Sequence, residues 1–465
     1  MSNYSKIAVA VAAALGSGVA VAANPTWTQS LVVAGSSAMR DAVANEMQNV
    51  LCTAGTYTAF VSVAGAGGSF DTPDFRAYTC TLSSGLAAPL GGTSVIVYYR
   101  SEGGSIFGVF GNSVLNGGAS LQINRLSIGP SGGTECTDSG SIALGISQPT
   151  AATVEADTQG TTNASCVAKD TVQLGISDVE PAAFVGLNYG SEYTFVTYPQ
   201  PTVSQLNALD KGPLIGEAYA AIVSNTGGGT SVFKNASGFS ANGLTSQELA
   251  TIFAGKTTDW GNVPSAAALG AATGNSPIVL CRREPGSGTQ TVASTHFLGT
   301  SCSTGGLAFD TPGSPSGNTV IEGFATSDVL SCVQNHSNAI GIVTLQTAAK
   351  ITGAAATQVT LNGVQGTAAN AAQDQYPWYG EAYYVKNDSA LPAGSFQLAL
   401  ANKFISDLES ANNTPTTAAD PNLVGLPSHN AAFTPVTPLK AGQQIPIAIG
   451  TTNGNTCTPM INVIG

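Results

Sequence analysis

Cys281-Arg282-Arg283-Glu284-Pro285-Gly286-Ser287-Gly288-Thr289-Gln290 is the stretch on which the reading of this chain turns. Before it runs Pro277-Ile278-Val279-Leu280, short and apolar, which reads as the end of a buried strand. After it, Gln290 to Phe297 reads as a helix. A turn between strand and helix built from Gly, Ser and Thr presents backbone N–H groups and hydroxyls where the helix dipole favours an anion. Small residues let an oxyanion approach the backbone, and an arginine grips it with two parallel hydrogen bonds. The plainer reading is an ordinary turn whose Ser or Thr only caps the helix. From these residues alone, both readings stay open.

The same design recurs along the chain. Trp27 to Val33 reads as a strand, Gly35-Ser36-Ser37-Ala38 as a tight turn, and Met39 to Val50 as a helix with apolar residues at Met39, Val43, Met47 and Val50. Ser36 or Ser37 then sits at a helix N-terminus, as an anion donor or a plain cap. Val95-Ile96-Val97-Tyr98-Tyr99 reads as a buried strand, followed by Arg100-Ser101-Glu102-Gly103-Gly104-Ser105 and a short helix over Ile106 to Leu115. Thr171 to Ile176 is another strand, closed by Ser177-Asp178-Val179-Glu180-Pro181. Asp178 lies at a strand C-terminus, where open α/β sheets bind ligands; as an N-cap it would serve only the next helix.

Further on, Gly216 to Ser224 reads as a strand. Leu244 to Phe253 carries a capping box, Thr245 with Glu248, and a helical apolar stripe that Gly255 ends. Trp260 is expected to pack locally. Glu322 to Asn335 is expected to be a helix, Ala339 to Val343 and Glu381 to Val385 strands, and Ser395 to Glu409 an amphipathic helix. Asn116 to Lys169, rich in Gly, Ser and Thr, reads as a surface excursion tied by Cys136 and Cys166. The alternation predicts an α/β fold with a mainly parallel sheet. Turns from distant parts of the chain must converge, and two lobes flanking a cleft achieve this.

Composition narrows the function. Of 465 residues, 43% are hydrophobic and only 9% charged, with 55 glycines, so the chain buries a core and shows a neutral, hydroxyl-rich surface. The net charge of −12, from 15 Lys+Arg against 27 Asp+Glu, argues against nucleic acid or an anionic membrane surface as partner. It leaves a buried anion site open, because such a site works through local donors. Lys6, the apolar run Ile7 to Val21 and the small residues around Ala22 and Ala23 read as an export signal covering residues 1–23. That run is too short and Ala-rich for a stable span, and no later stretch is apolar enough for one. Eight Cys in an exported chain favour disulfides, and pairing of neighbours is expected: Cys52–Cys80, Cys136–Cys166, Cys281–Cys302 and Cys332–Cys457. No CxxC or Cys/His cluster suggests a metal, and no cofactor motif is present. Three scattered His, and a Ser287 outside any G-x-S-x-G elbow, argue against a hydrolase.

Taken in order, several blocks resemble the periplasmic phosphate-binding proteins of ABC transporters, a family with the type II periplasmic-binding fold. Arg283-Glu284-Pro285-Gly286-Ser287-Gly288-Thr289 resembles the family's R-x-D-G-S-G-T loop. Leu244-Thr245 through Phe253-Ala254-Gly255-Lys256 to Trp260 resembles L-T-x-x-x-L-x-x-I-F-x-G-K-I-x-x-W. Asn338-Ala339-Ile340-Gly341-Ile342-Val343 resembles P-G-A-I-G-Y-V, and Leu174-Gly175-Ile176-Ser177-Asp178 resembles F-G-A-S-D. Tyr376-Pro377 before a strand resembles the second hinge crossing. The order of five blocks carries more weight than any single one.

The resemblance implies a two-lobed (Venus flytrap) α/β fold of type II with a disulfide-tied insertion in the first lobe, at about residues 105–170. Lobe one would hold residues 24–215 and 380–465, lobe two residues 216–379, with crossings near Ala220 and Tyr379. It implies a phosphate site made by Ser37 and the Ala38 N–H, Ser101, the carboxylate of Asp178, the clamp Arg283, and the donors Ser287, Gly288 and Thr289. It implies a non-enzymatic chain, exported to the periplasm or secreted by a Gram-negative type of bacterium. Such a chain would capture inorganic phosphate or a related oxyanion and hand it to an ABC permease. The alternative is a secreted or surface-associated structural protein that keeps the fold with an altered or lost site. Three departures matter: Pro285 replaces the Asp that usually orients the arginine, Glu102 replaces a second Ser, and the first loop is Gly-Ser-Ser-Ala-Met.

Overall fold

The computed structural model describes residues 26–62, 75–101, 103–115, 122–128, 138–143, 150–154, 167–189, 200–235, 243–300, 306–315, 317–323, 325–348, 351, 355–372, 375–411, 423–424, 450–451 and 461–462. The expected export signal, Glu102, and Cys136, Cys166, Cys302 and Cys457 lie outside these residues.

Twelve strands form the spine of one mixed sheet. They are β1 (Gln29–Gly35), β2 (Thr58–Ser62), β3 (Phe75–Thr81), β4 (Ser94–Arg100), β5 (Asp138–Ala143), β6 (Thr150–Val154), β7 (Leu174–Ser177), β8 (Asp210–Ser224), β9 (Val279–Arg283), β10 (Thr319–Gly323), β11 (Ala339–Thr344) and β12 (Tyr379–Lys386). Their spatial order is β10-β9-β11-β8-β12-β7-β1-β4-β3-β2-β6-β5. The helices that bear on the argument are α1 (Arg40–Asn45), α2 (Ser105–Phe110), α3 (Ser246–Phe253), α4 (Gly288–Leu298), α5 (Thr326–Asn335) and α6 (Phe396–Ala411). Among the described residues no helix is long and apolar enough to cross a membrane.

The strand sequences explain the layering. β1 and β4 are near-continuous apolar runs because both faces are covered. Leu31, Val33, Val95, Val97 and Tyr99 join one core, and Val32, Ala34, Ile96 and Tyr98 join the core on the opposite face. That is the period-2 alternation of a pleated strand. Helix α6 covers the first face with Leu400, Ala401, Phe404, Ile405 and Leu408 at helical spacing. Helix α2 covers the second with Ile106, Phe107, Val109 and Phe110. A third core draws its residues from Ala218 to Tyr379.

Strand β8 serves both halves. Its first part, through Ala218, pairs antiparallel with β12; from Tyr219 to Val223 it pairs antiparallel with β11. It is buried through nearly its whole length, which is why it reads as an apolar run. The α/β class is as expected. Helix α3 has its capping box, with Thr245 Oγ1 accepting from Glu248 N–H at 3.2 Å and Glu248 Oε2 accepting from Thr245 N–H at 2.7 Å. Trp260 is wholly buried, donates its indole N–H to the Asn338 carbonyl at 2.8 Å, and meets Phe233 edge-on.

Several expectations need correction. The sheet is mixed: β1–β4, β1–β7, β9–β10 and β9–β11 are parallel, but β2–β3, β3–β4, β8–β11, β8–β12 and β7–β12 are antiparallel. Glu322 lies on β10 because it pairs across the parallel ladder with Arg282, to which it is salt-bridged; helix α5 starts only at Thr326. The excursion after residue 115 is not confined to the surface: β5 and β6 extend the sheet, and Ile123, Leu126 and Ile128 join the second core. Cys52–Cys80 forms as expected, but Cys281 pairs with Cys332 rather than Cys302, which also denies Cys332 to Cys457. Helix α5 lies against the sheet beside β9, so the partner close in space is the one distant in sequence.

The helix expected over Met39 to Val50 widens into a π-helical turn at Glu46–Leu51. Glu46 is almost fully buried there, and its carboxyl is pushed up to about 9 by burial, then by the hydrogen bond and charge of Asp407 on α6, with Lys403 opposing. A carboxyl raised in the fold holds a proton that the unfolded chain gives up. Its contribution is therefore present below the ordinary value of 4.5 and is lost as pH rises towards 9. Thermal unfolding of wild type is expected to weaken across that window, and Glu46→Gln, which keeps an uncharged partner for Asp407, to weaken less. Parallel pH profiles for the two proteins would refute this role.

Candidate functional site

The residues singled out from sequence come from four chain segments, and the fold collects most of them at the C-terminal ends of β1, β4, β7 and β9. Parallel pairing sets this up: β1 lies between β4 and β7 in register, so the turns after all three strands emerge side by side. The turn after β9 and the start of α5 face them from the other half.

Arg283, at the end of β9, is fully buried. Its Nε donates to the Gly323 carbonyl at 3.2 Å. Its Nη1 donates to Ser37 Oγ and to Thr326 Oγ1, each at 3.1 Å. Ser37 Oγ and Thr326 Oγ1 are themselves 2.8 Å apart. The orienting role that the resemblance gives to an Asp at position 285 is therefore shared here by a backbone carbonyl and two hydroxyls.

Asp178 also sits at a strand end, just past β7, and is buried. Its Oδ2 accepts from Thr289 Oγ1 at 3.1 Å, across the two halves, while Oδ1 accepts no hydrogen bond. Its backbone N–H donates to Ser105 Oγ at 3.0 Å. Burial raises the carboxyl above its ordinary range; the Ser36 hydroxyl, the Arg283 charge, and the hydroxyls of Thr289 and Ser105 pull the other way. The capping alternative for Asp178 falls, because Glu180 holds the cap position of the next turn, Pro181–Ala183.

The loop after β9 runs into α4. Ser287 is the N-cap, its Oγ accepting from Gln290 N–H at 3.4 Å, so the capping role read from sequence is present. A capping hydroxyl that accepts still has its own proton to donate. Gly288 admits no side chain: an added Cβ would lie 2.4 Å from Ser105 Oγ and 2.6 Å from Asp178 Cβ. Its smallness is what lets the two halves meet. On the facing loop, Gly104 has φ +73° and its Cβ position would be 3.0 Å from Arg283 Nη2, so a glycine suits both backbone and contact. The Ile106 N–H donates to the Gly286 carbonyl at 3.1 Å, closing the two loops on each other.

Ser37, Arg283, Asp178, Thr289 and Gly288 are thus brought together, with Ser287 beside them. Ser101 is buried at the end of β4, and its carbonyl accepts the Gly104 N–H at 3.1 Å. The Ala38 N–H is turned instead to its own loop, donating to Ser36 Oγ at 3.0 Å. Three participants lay outside the sequence-based set. Ser105 is the last residue of the Arg100–Ser105 turn and opens α2. The Tyr99 hydroxyl donates to the Ser36 carbonyl, where the sequence shows only the aromatic of a buried strand. Thr326 falls inside the helix expected over Glu322 to Asn335, and the small polar residues that open α5 are the signal for it. Among the described residues, no three His, Cys, Asp or Glu side chains are grouped to hold a metal.

Residues 220–406 match a family model described as a PBP superfamily domain. Among solved structures, the chain is similar to a putative phosphate ABC transporter substrate-binding protein with bound phosphate from Clostridium perfringens, at 14% identity and TM-score 0.39, covering 82% of this chain and 96% of that one. It is similar to a phosphate-binding protein from Stenotrophomonas maltophilia at 12% identity and TM-score 0.39, covering 85% and 88%. An ABC-type phosphate transport receptor from Vibrio cholerae matches at 15% identity and TM-score 0.31, covering 52% and 76%. No curated protein matches the chain. The matched family stretch takes in Arg283 to Thr289 and Thr326 and stops short of Ser37, Ser101 and Asp178.

Proposed function

We propose that this chain is a non-enzymatic binding protein that captures an oxyanion, inorganic phosphate, between its two halves. The observation that carries the proposal is the convergence of Arg283 and Asp178, both buried, with Ser37, Thr289 and Ser287 around them. A guanidinium and hydroxyls alone would accept any tetrahedral oxyanion. A buried carboxylate with an open oxygen selects one that still carries a proton, because phosphate donates to it and sulfate presents only negative charge. Ser37, Ala38, Ser101, Asp178, Arg283, Ser287, Gly288 and Thr289 are the proposed ligands. For the Ala38 N–H this requires exchange of its bond to Ser36.

Closure would bring lobe one (residues 24–215 and 380–465) against lobe two (216–379) about β8 and the chain just before β12. The separate cores on either side support that division. Export after cleavage near Ala22 or Ala23, followed by handover to an ABC permease, completes the proposal. Isothermal titration tests it: phosphate is expected to release heat and sulfate to release none. A protein silent towards both at millimolar concentration is the structural alternative, a fold kept without its ligand.

A further inference from the structure

We infer that Thr326 is a further residue of the anion site, positioning both Arg283 and Ser37 and setting which hydroxyl proton is presented to the oxyanion. The inference deepens the phosphate-binding proposal and rests on it. Arg283 Nη1, Ser37 Oγ and Thr326 Oγ1 form a closed triangle with sides of 3.1, 3.1 and 2.8 Å, and all three side chains are buried. The triangle has a definite proton count. The guanidinium nitrogen has two N–H groups and directs one to each hydroxyl. Each hydroxyl has one proton, and only one of the two is used between Ser37 and Thr326. One hydroxyl proton therefore has no acceptor within the triangle.

A hydroxyl left over beside a buried guanidinium, with both of its neighbours already supplying hydrogen bonds to it, is a donor aimed at an anion. Either oxygen serves as donor in the Ser37–Thr326 bond. The spare proton is accordingly presented by Ser37 from one half or by Thr326 from the other. Without the Thr326 hydroxyl, Ser37 keeps only its bond from Arg283, and Arg283 Nη1 loses the Thr326 acceptor in a buried place. The backbone supports this placement. Gly323, three residues earlier, accepts from Arg283 Nε, and α5 is tied to β9 by Cys281–Cys332, so two further links join the segment of Thr326 to that of Arg283.

Phosphate titration of wild type, Thr326→Val and Thr326→Ser tests the inference. Valine keeps the shape and removes the hydroxyl, and is expected to weaken phosphate binding about tenfold or more, the scale of one hydrogen bond to a charged group. Serine restores the hydroxyl and is expected to bind within about threefold of wild type, a rescue that a purely structural methyl contact would not produce. In a cycle with Ser37→Ala, the double variant is expected to lose less than the sum of the singles, because the two hydroxyls share one proton. Wild-type affinity in Thr326→Val overturns the inference and leaves the phosphate proposal standing. Should the valine variant not fold, a loss in Thr326→Ser as large as that expected for valine overturns it equally. No heat from wild type overturns both.

Discussion

Arg283→Ala is expected to weaken phosphate binding by more than about 2 kcal/mol, roughly 30-fold. The size follows from where the side chain lies. Its guanidinium is buried and holds Gly323 through Nε and Ser37 and Thr326 through Nη1, so it arrives at the site already aimed. An aimed donor costs little rotamer freedom when the ligand binds. Its removal deletes the positive charge that balances Asp178, leaving a buried carboxylate facing an anion. Arg283→Lys keeps the charge but not the planar fork, and is expected to recover only part of the affinity. Titration calorimetry of both variants reads the effect directly. Unchanged phosphate affinity in Arg283→Ala would remove Arg283 from the site.

The second large effect is a change of selectivity. Asp178→Asn is expected to lower phosphate affinity by about tenfold or more and to let sulfate bind where wild type refuses it. The amide retains an acceptor for the Thr289 hydroxyl, so the bond across the two halves is kept. What is lost is the negative charge at Oδ1, the oxygen that accepts no hydrogen bond within the protein. In wild type a sulfate would be set against that charge in a buried place, where repulsion is weakly screened. With asparagine the repulsion vanishes and the advantage of a proton-bearing anion goes with it. The measurement is the ratio of sulfate to phosphate dissociation constants. A variant that binds phosphate and still rejects sulfate would show that Asp178 is not the selecting group.

Much of the architecture was legible in sequence because the relevant signals are local. The apolar runs that became β1, β4, β8 and β11 are long enough to identify a buried strand, and the Thr245/Glu248 capping box marks the start of α3 to within a residue. Strands β2 and β3 carry no such local signal. Thr58–Ser62 is short, and Phe75–Thr81 carries Arg76, an unlikely residue for a buried strand until its salt bridge to Asp41 at 2.7 Å is seen. Glu322 misled for the same reason: a charged residue before a helical pattern looks like a first-turn acid, and only the ladder brings it opposite Arg282.

The candidate site divides along the same line. By itself, the amino-acid sequence determined the residue chemistry at the strand ends: the strand–turn–helix form around Arg283 and Ser287, the hydroxyl-rich turn at Ser37, and the carboxylate of Asp178. These follow from residue type and spacing within a few positions, which is the range over which helix caps and strand runs act. Tertiary structure alone decided that Ser37 meets Arg283, that Thr289 meets Asp178, that Thr326 closes the triangle, and that Cys281 finds Cys332. Each of these contacts joins residues far apart along the chain. Their partners are chosen by how the strands pair and how α5 lies on the sheet, and no local pattern records either.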